Sequence, residues 1–336
     1  MPMNPAGALA RVALLLTLVA APALSADPLV VYSARNEQLI KPLFDRYTRE
    51  TGIEVRFTTA DAAVLIERIA AEGRNSPADI LMTVDAGELW RATERGLLRP
   101  LQSRVLADNI PAHLRDPEGR WFGLSMRART LAYDPRKVDA DSLSTYEALA
   151  EPRWKGKLCL RTSKKVYNQS LVAMLIAQQG EARTEQVVRG WIANLAAPVF
   201  ANDTQLLEAI AAGQCEVGIV NTYYLGRILK DRLEFPVKLY WANQGSGGVH
   251  VNISGAGVVT TSRQPAAAQR FLEWLSAGEA QRFFAAVNAE YPANPTVGLD
   301  PLVAGWGTFE SSQINLGKAG TLQPQAVRLM DRAGYR

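Results

Sequence analysis

Residues 29–96 read LVVYSARNEQLIKPLFDRYTRETGIEVRFTTADAAVLIERIAAEGRNSPADILMTVDAGELWRATERG. Leu29 to Tyr32 form a short apolar strand. Through 36–51, Leu39, Leu43, Phe44 and Tyr47 recur at helical spacing, and Gly52 supplies the stop. Ile53, Val55 and Phe57 then alternate as a strand. Asp61 is a good N-cap for a helix over 62–72, whose Leu65, Ile66 and Ile69 share a face before Gly73. A strand over 78–84 and a helix over 86–95, stopped by Gly96, complete the stretch. Strands alternating with helices predict an α/β fold with a mostly parallel sheet covered by helices on its faces.

The pattern restarts after about residue 155. Strands are expected at 157–161, 216–220, 237–241, 248–254 and 257–260. Helices are expected at 169–178, 184–195, 204–212 and 223–231, with one long helix over 266–286 and a last one over 323–333. Two α/β units thus follow one another, with extended connectors near 127–133 and 248–254. Two connectors let the chain cross between lobes more than once and leave a cleft, where ligands gather at the carboxyl ends of strands. There is no internal repeat and no low-complexity linker.

The 336 residues are 48% apolar and 21% charged, too apolar for disorder and long enough for roughly two domains. The net charge of +4 is spread thinly, which argues against nucleic acid as a partner. Residues 1–26 read as a secretory signal: Arg11 is the single charge, the apolar run Val12 to Ala21 is too short to span a bilayer, and small residues follow. The mature protein is expected to be exported, periplasmic and without a membrane span. Export favours a disulfide between Cys159 and Cys215, each placed in a predicted strand, over two buried free thiols, a choice that spacing does not settle.

Few side chains are available for chemistry. His113 and His250 are isolated, no Gly-x-Ser-x-Gly elbow is present, and neither Gly255-Ala256-Gly257 nor Gly245-Ser246-Gly247-Gly248 makes a dinucleotide loop. Asn221-Thr222-Tyr223-Tyr224 follows a predicted strand and opens a helix, and Tyr167 lies in a similar turn. Such tyrosines pack into cores more often than they bind ligands. Placed at strand ends, three phenolate oxygens would suit a hard cation such as Fe³⁺. Arg127 and Arg129, two apart in an extended segment, share a face that could grip an anion or could be a solvated strand face.

The ordered set Val31-Tyr32-Ser33-Ala34-Arg35, Ser76-Pro77-Ala78-Asp79-Ile80, Leu124-Ser125-x-Arg127-x-Arg129, Asn221-x-Tyr223-Tyr224 and Glu290-Tyr291-Pro292-x-Asn294-Pro295 resembles the bacterial ferric-ion-binding periplasmic proteins. These are solute-binding components of iron ABC importers, in the class II solute-binding superfamily. The resemblance spans essentially the whole mature chain. It implies a two-lobed, type II Venus-flytrap fold in which strands form the hinge. The lobes would be 27–128 with about 254–300, and 129–253 with about 301–336. It further implies Fe³⁺ held by tyrosinates at Tyr167, Tyr223 and Tyr224, with carbonate or a similar synergistic anion on Arg127 or Arg129. Where some relatives carry first-lobe ligands, this chain has Asn36 and Glu37 after Arg35, and Val84 with Asp85 beside it. Asn36 and Glu37 are therefore the candidate first-lobe contacts.

The expected protein is a non-enzymatic, monomeric receptor that delivers iron to an inner-membrane ABC permease. Two alternatives stand beside it. One is a flytrap for an organic or inorganic anion held by Arg127 and Arg129 without metal, and the other is a secreted hydrolase using a carboxylate base.

Overall fold

The computed structural model of the protein describes Met1 and residues 27–336, so the expected signal segment falls, Met1 apart, outside the described residues. Nine strands make one mixed sheet: β1 Leu29–Ser33, β2 Val55–Thr59, β3 Ile80–Thr83, β4 Phe122–Tyr133, β5 Leu158–Cys159, β6 Val217–Asn221, β7 Lys238–Tyr240, β8 His250–Val258 and β9 Tyr291–Pro292. Their order is β2-β1-β3-β8-β4-β6-β5, with β7 and β9 also pairing to β4.

The ends of this sheet are parallel: β1 with β2 and β3 in the first half, and β5 with β6 in the second. Its centre is antiparallel. β8 pairs with β3 through residues 255–258 and with β4 through 250–256, while β4 goes on to pair with β6 through 129–133. β4 and β8 are thus long strands that belong to both halves at once. β8 joins into one strand what the sequence divides into 248–254 and 257–260.

Local residue choice explains the flanking helices. Helix Glu37–Thr51 buries Ile40, Leu43, Phe44 and Tyr47, and Gly52 closes it at φ 75°, a left-handed conformation that only glycine adopts without penalty. Phe44 meets Phe57 edge-to-face at 5.5 Å between centroids, seating that helix on the sheet. The long helix expected over 266–286 is instead two, Pro265–Leu275 and Gly278–Val287. Ser276 Oγ turns back to donate to the Glu273 carbonyl, Ala277 is extended, and Gly278 is a poor helix former. The carbonyls freed by the break are not lost: Gln281 donates to Leu275 and Asn294 to Ser276. No helix among the described residues is long and apolar enough to cross a membrane.

The second half is riveted by a disulfide between Cys159 in β5 and Cys215, just before β6. Both sulfurs lie in an apolar cluster with Leu206, Leu207, Ile210 and Val220. The bridge closes a loop of 56 residues. Chain entropy then assigns it about 4 kcal/mol of stabilisation. A Cys159→Ala/Cys215→Ala chain is expected to unfold at a clearly lower urea midpoint, with a slope at least as steep because the unlinked unfolded chain is more expanded, measured by circular dichroism against the oxidised parent.

Candidate metal centre

Two turns carry the tyrosines. β6 ends at Asn221 and the helix Thr222–Asp231 starts at the next residue, so Tyr223 and Tyr224 fall in its first turn, their rings stacked at 4.4 Å between centroids. Tyr167 lies in the first turn of the helix Val166–Gln179, which begins three residues earlier than the spacing predicts. The loop before it is stapled down by the residues that follow. Asn168 Nδ2 donates to the Arg161 and Thr162 carbonyls, each at 2.9 Å, and Gln169 Nε2 to the Ser163 carbonyl at 3.1 Å.

Arg129 ties these two turns together. Its Nε donates to Asn168 Oδ1 at 2.9 Å, and its Nη1 to Asp203 Oδ2 at 2.9 Å and Asn221 Oδ1 at 3.1 Å. Its Nη2 reaches the Ile219 carbonyl at 3.1 Å. Arg129 is therefore committed to the scaffold and does not line the cleft, which corrects its expected role as an anion grip. Arg127, two residues along the same face of β4, does line it. Arg127 Nη2 donates to the Val84 carbonyl, while its buried Nη1 has no partner.

The cleft encloses about 470 Å³, with Arg127, Tyr167, Tyr223 and Tyr224 together in its wall. From the first half it is lined by Arg35, Asn36, Asp61, Val84 and Glu88. Glu37 is not in that wall: it opens the helix Glu37–Thr51, one residue and about 100° of helical turn on from Asn36, and stands exposed. Glu290 also borders the cleft, its Oε2 accepting from Arg35 at 3.1 and 3.2 Å and from Ser125 at 2.6 Å.

Sequence reading missed two cations. Arg161 Nη1 donates to Tyr224 Oη at 3.2 Å, and its guanidinium carbon lies 5.3 Å from the Tyr167 ring centroid. Arg227 sits 4.9 Å from the Tyr223 centroid. Both had a signal: Arg161 lies two residues past the carboxyl end of β5, and Arg227 is four residues after Tyr223, on the same face of its helix.

Burial, reinforced by the neighbouring phenols Tyr167 and Tyr224, pushes the Tyr223 phenol well above its ordinary value, with Arg127 opposing. Burial also raises Tyr167, as does Tyr224, against the pull of Arg127 and Arg161. The free site therefore holds Tyr167 and Tyr223 protonated at neutral pH, and a cation of high charge is needed to displace those protons. His250 is lowered to about 3 by burial and by Arg129 and Arg127, so it is neutral. Among the described residues no group of three or more His, Cys, Asp or Glu side chains could hold a metal ion, which leaves the phenols as the hard donor set.

The match to known proteins is specific. The profile of the bacterial extracellular solute-binding proteins fits residues 33–282. This chain belongs to that family. Iron uptake protein A1 of a Synechocystis species is 42% identical over 91% of this chain and 87% of its own. A Trichodesmium protein solved in complex with iron and citrate superposes with a TM-score of 0.89 at 42% identity, covering 92% of this chain and all of that one. The ferric binding protein of Campylobacter jejuni gives 0.86 at 34% identity, with 92% and 100% covered. The fold is accordingly that of the two-lobed, type II periplasmic binding proteins.

In a solute-binding protein the contacts that cross the cleft matter most, and Asp85 makes one of them. Its buried carboxylate accepts from Gly87 N at 2.8 Å, from Asn252 Nδ2 of β8 at 2.8 Å and from Ser170 Oγ at 3.0 and 3.1 Å. Ser170 lies one turn beyond Tyr167 on the same helix. Burial raises Asp85 to about 7, with Arg127 pulling the other way. A carboxyl raised in the folded state from 3.8 contributes stability that is present in acid and is lost as pH rises through about 7. The melting-temperature advantage of the wild type over Asp85→Asn is expected to shrink between pH 5 and pH 8. An advantage constant across that range would refute the assignment.

Proposed function

We propose that this solute-binding protein captures Fe³⁺ between its lobes and hands it to an inner-membrane ABC permease, without catalysing a reaction. The observation that carries this reading is the grouping of Tyr167, Tyr223 and Tyr224 at two helix N-termini in one cleft wall, beside the unpartnered Nη1 of Arg127. Relatives named for iron uptake and ferric binding support it.

Charge decides what else must bind. Three phenolates neutralise a trivalent ion, and of the other charged groups lining the cleft Arg127, Arg227, Lys164 and Lys165 form no ion pair among the described residues, against unpaired Asp61; the polar partner of Arg227 is Asn288 Oδ1 at 2.9 Å. A co-bound anion with at least two negative charges fits that surplus. Carbonate meets the requirement, as does a polycarboxylate of the kind present with iron in the Trichodesmium protein. Asn36 at the rim is the candidate first-lobe contact.

In this reading the lobes are 27–128 with about 254–300 and 129–253 with about 301–336, and β4 and β8 are the hinge. Closure excludes water and strengthens every charge contact inside. The leader over 1–26 is removed on export, and the mature chain acts as a monomer in the periplasm.

Adding Fe³⁺ with bicarbonate or citrate to the metal-free protein is expected to produce a visible tyrosinate-to-iron charge-transfer band. Tyr223→Phe/Tyr224→Phe should be colourless. It should lose more than about 100-fold in affinity, since even outer groups around a metal can cost that much. Calorimetry with the anions alone should show weak binding; tight binding without iron, or unchanged iron affinity in the double variant, would defeat the proposal. Because each phenol must release its proton, apparent affinity should fall steeply from pH 8 to pH 5, by up to about tenfold per pH unit for every proton displaced. A competing-chelator titration reads that slope, which should be shallower in Tyr167→Phe.

A further inference from the structure

Arg161 is the cation whose surroundings the proposed function leaves unexplained. It is 4% exposed, yet its Nε has no hydrogen-bond partner. Its main chain is immobilised: the carbonyl accepts from Asn168 Nδ2 at 2.9 Å and from the Tyr335 hydroxyl at 2.6 Å. Its guanidinium is directed at two groups. Nη1 lies 3.2 Å from Tyr224 Oη and 3.6 Å from Asp203 Oδ1. Asp203 is fully buried, and its other oxygen, Oδ2, is saturated by Arg129 Nη1 and by Asn221 N at 3.0 Å. Oδ1 accepts no hydrogen bond and faces only the charge of Arg161.

A buried cation beside a proposed cation site needs a reason, because it repels the metal. Pairing with Asp203 does not by itself supply it, since Arg129 already holds the other oxygen of that carboxylate and bridges the two tyrosine turns. What Arg161 does that Arg129 does not is touch a proposed ligand oxygen.

We infer that Arg161 is a positioning residue for the bound ferric ion: held by the charge of Asp203, it donates a hydrogen bond to the Tyr224 oxygen and so aims that oxygen and limits its electron donation to the metal. This rests on the iron-binding reading above. A hydrogen bond donated by a guanidinium stabilises the filled orbitals of a phenolate. The light-driven transfer of an electron from that phenolate to Fe³⁺ therefore costs more energy with Arg161 present than without it. The second ring Arg161 flanks, Tyr167, is held by its cation–π contact on the same side.

The test is the charge-transfer band of the iron-loaded, full-length mature protein. In Arg161→Gln the band maximum is expected to move to longer wavelength. Arg161→Lys keeps the charge with a single-point donor and is expected to move the band less, in the same direction. If Arg161→Gln does not fold or takes up no iron, Arg161→Lys carries the readout. A band unmoved in a folded, iron-loaded variant, whatever its melting temperature, would reduce Arg161 to a structural residue and overturn the inference. A wild type that binds iron without any such band, or binds none, would instead overturn the tyrosinate reading on which it stands.

Discussion

The ion pair of Arg129 with Asp203, whose side chains are 2% and 0% exposed, organises the whole second half of the molecule around the cleft. Arg129 enters from β4, Asp203 from the first residue of the helix Asp203–Ala211, and the amides of Asn168 and Asn221 close on the same guanidinium. Each amide is a near neighbour of a tyrosine: Asn168 follows Tyr167 directly, and Asn221 precedes Tyr223 by two. A buried pair of this sort adds little net stability, since desolvation offsets most of the attraction, but removing one partner strands the other at a cost of about 3–5 kcal/mol. Its value here is geometric. It sets the spacing between two helix N-termini that no backbone hydrogen bond joins.

The disulfide works at the same place by other means. Cys159 and Cys215 fix β5 against the approach to β6, and the segments leaving those strands carry Arg161 with Tyr167 and Tyr223 with Tyr224. The site is asymmetric as a result. The second half contributes rigid phenols, whereas the first half contributes a wall of backbone and mixed charges around Asn36, Val84 and Glu88. Unsatisfied buried polar atoms occur in both halves; those close to the tyrosine turns are Arg127 Nη1, Arg161 Nε, Asp203 Oδ1 and Asn221 Nδ2.

Much of this could be read from residue order. Periodicity and glycine stops located the first three helices to within a residue or two, because each buries one stripe and is followed closely by a glycine; the short helix Arg104–Asn109 was not read. The break at 276–278 was not legible. The apolar period runs through it, and the carbonyls it frees are taken up by Gln281 and by the distant Asn294. Arg127 and Arg129 show the same limit. A period of two puts both on one face of a strand, but the pattern cannot say that Asp203, 74 residues further on, will claim the second and leave the first.

Sequence by itself determined the alternation of strands and helices, the strand-end placement of Tyr167 and Tyr223-Tyr224, and the candidate chemistry of phenols and guanidiniums, all of which depend on neighbours a few positions away. Tertiary structure alone decided that β4 and β8 run through both halves, that Glu37 faces away from the cleft, and that Arg161 rather than Arg129 meets a phenol oxygen. The reason is that a buried charge goes wherever its counter-charge is brought, and that partner arrives through the folding of distant segments.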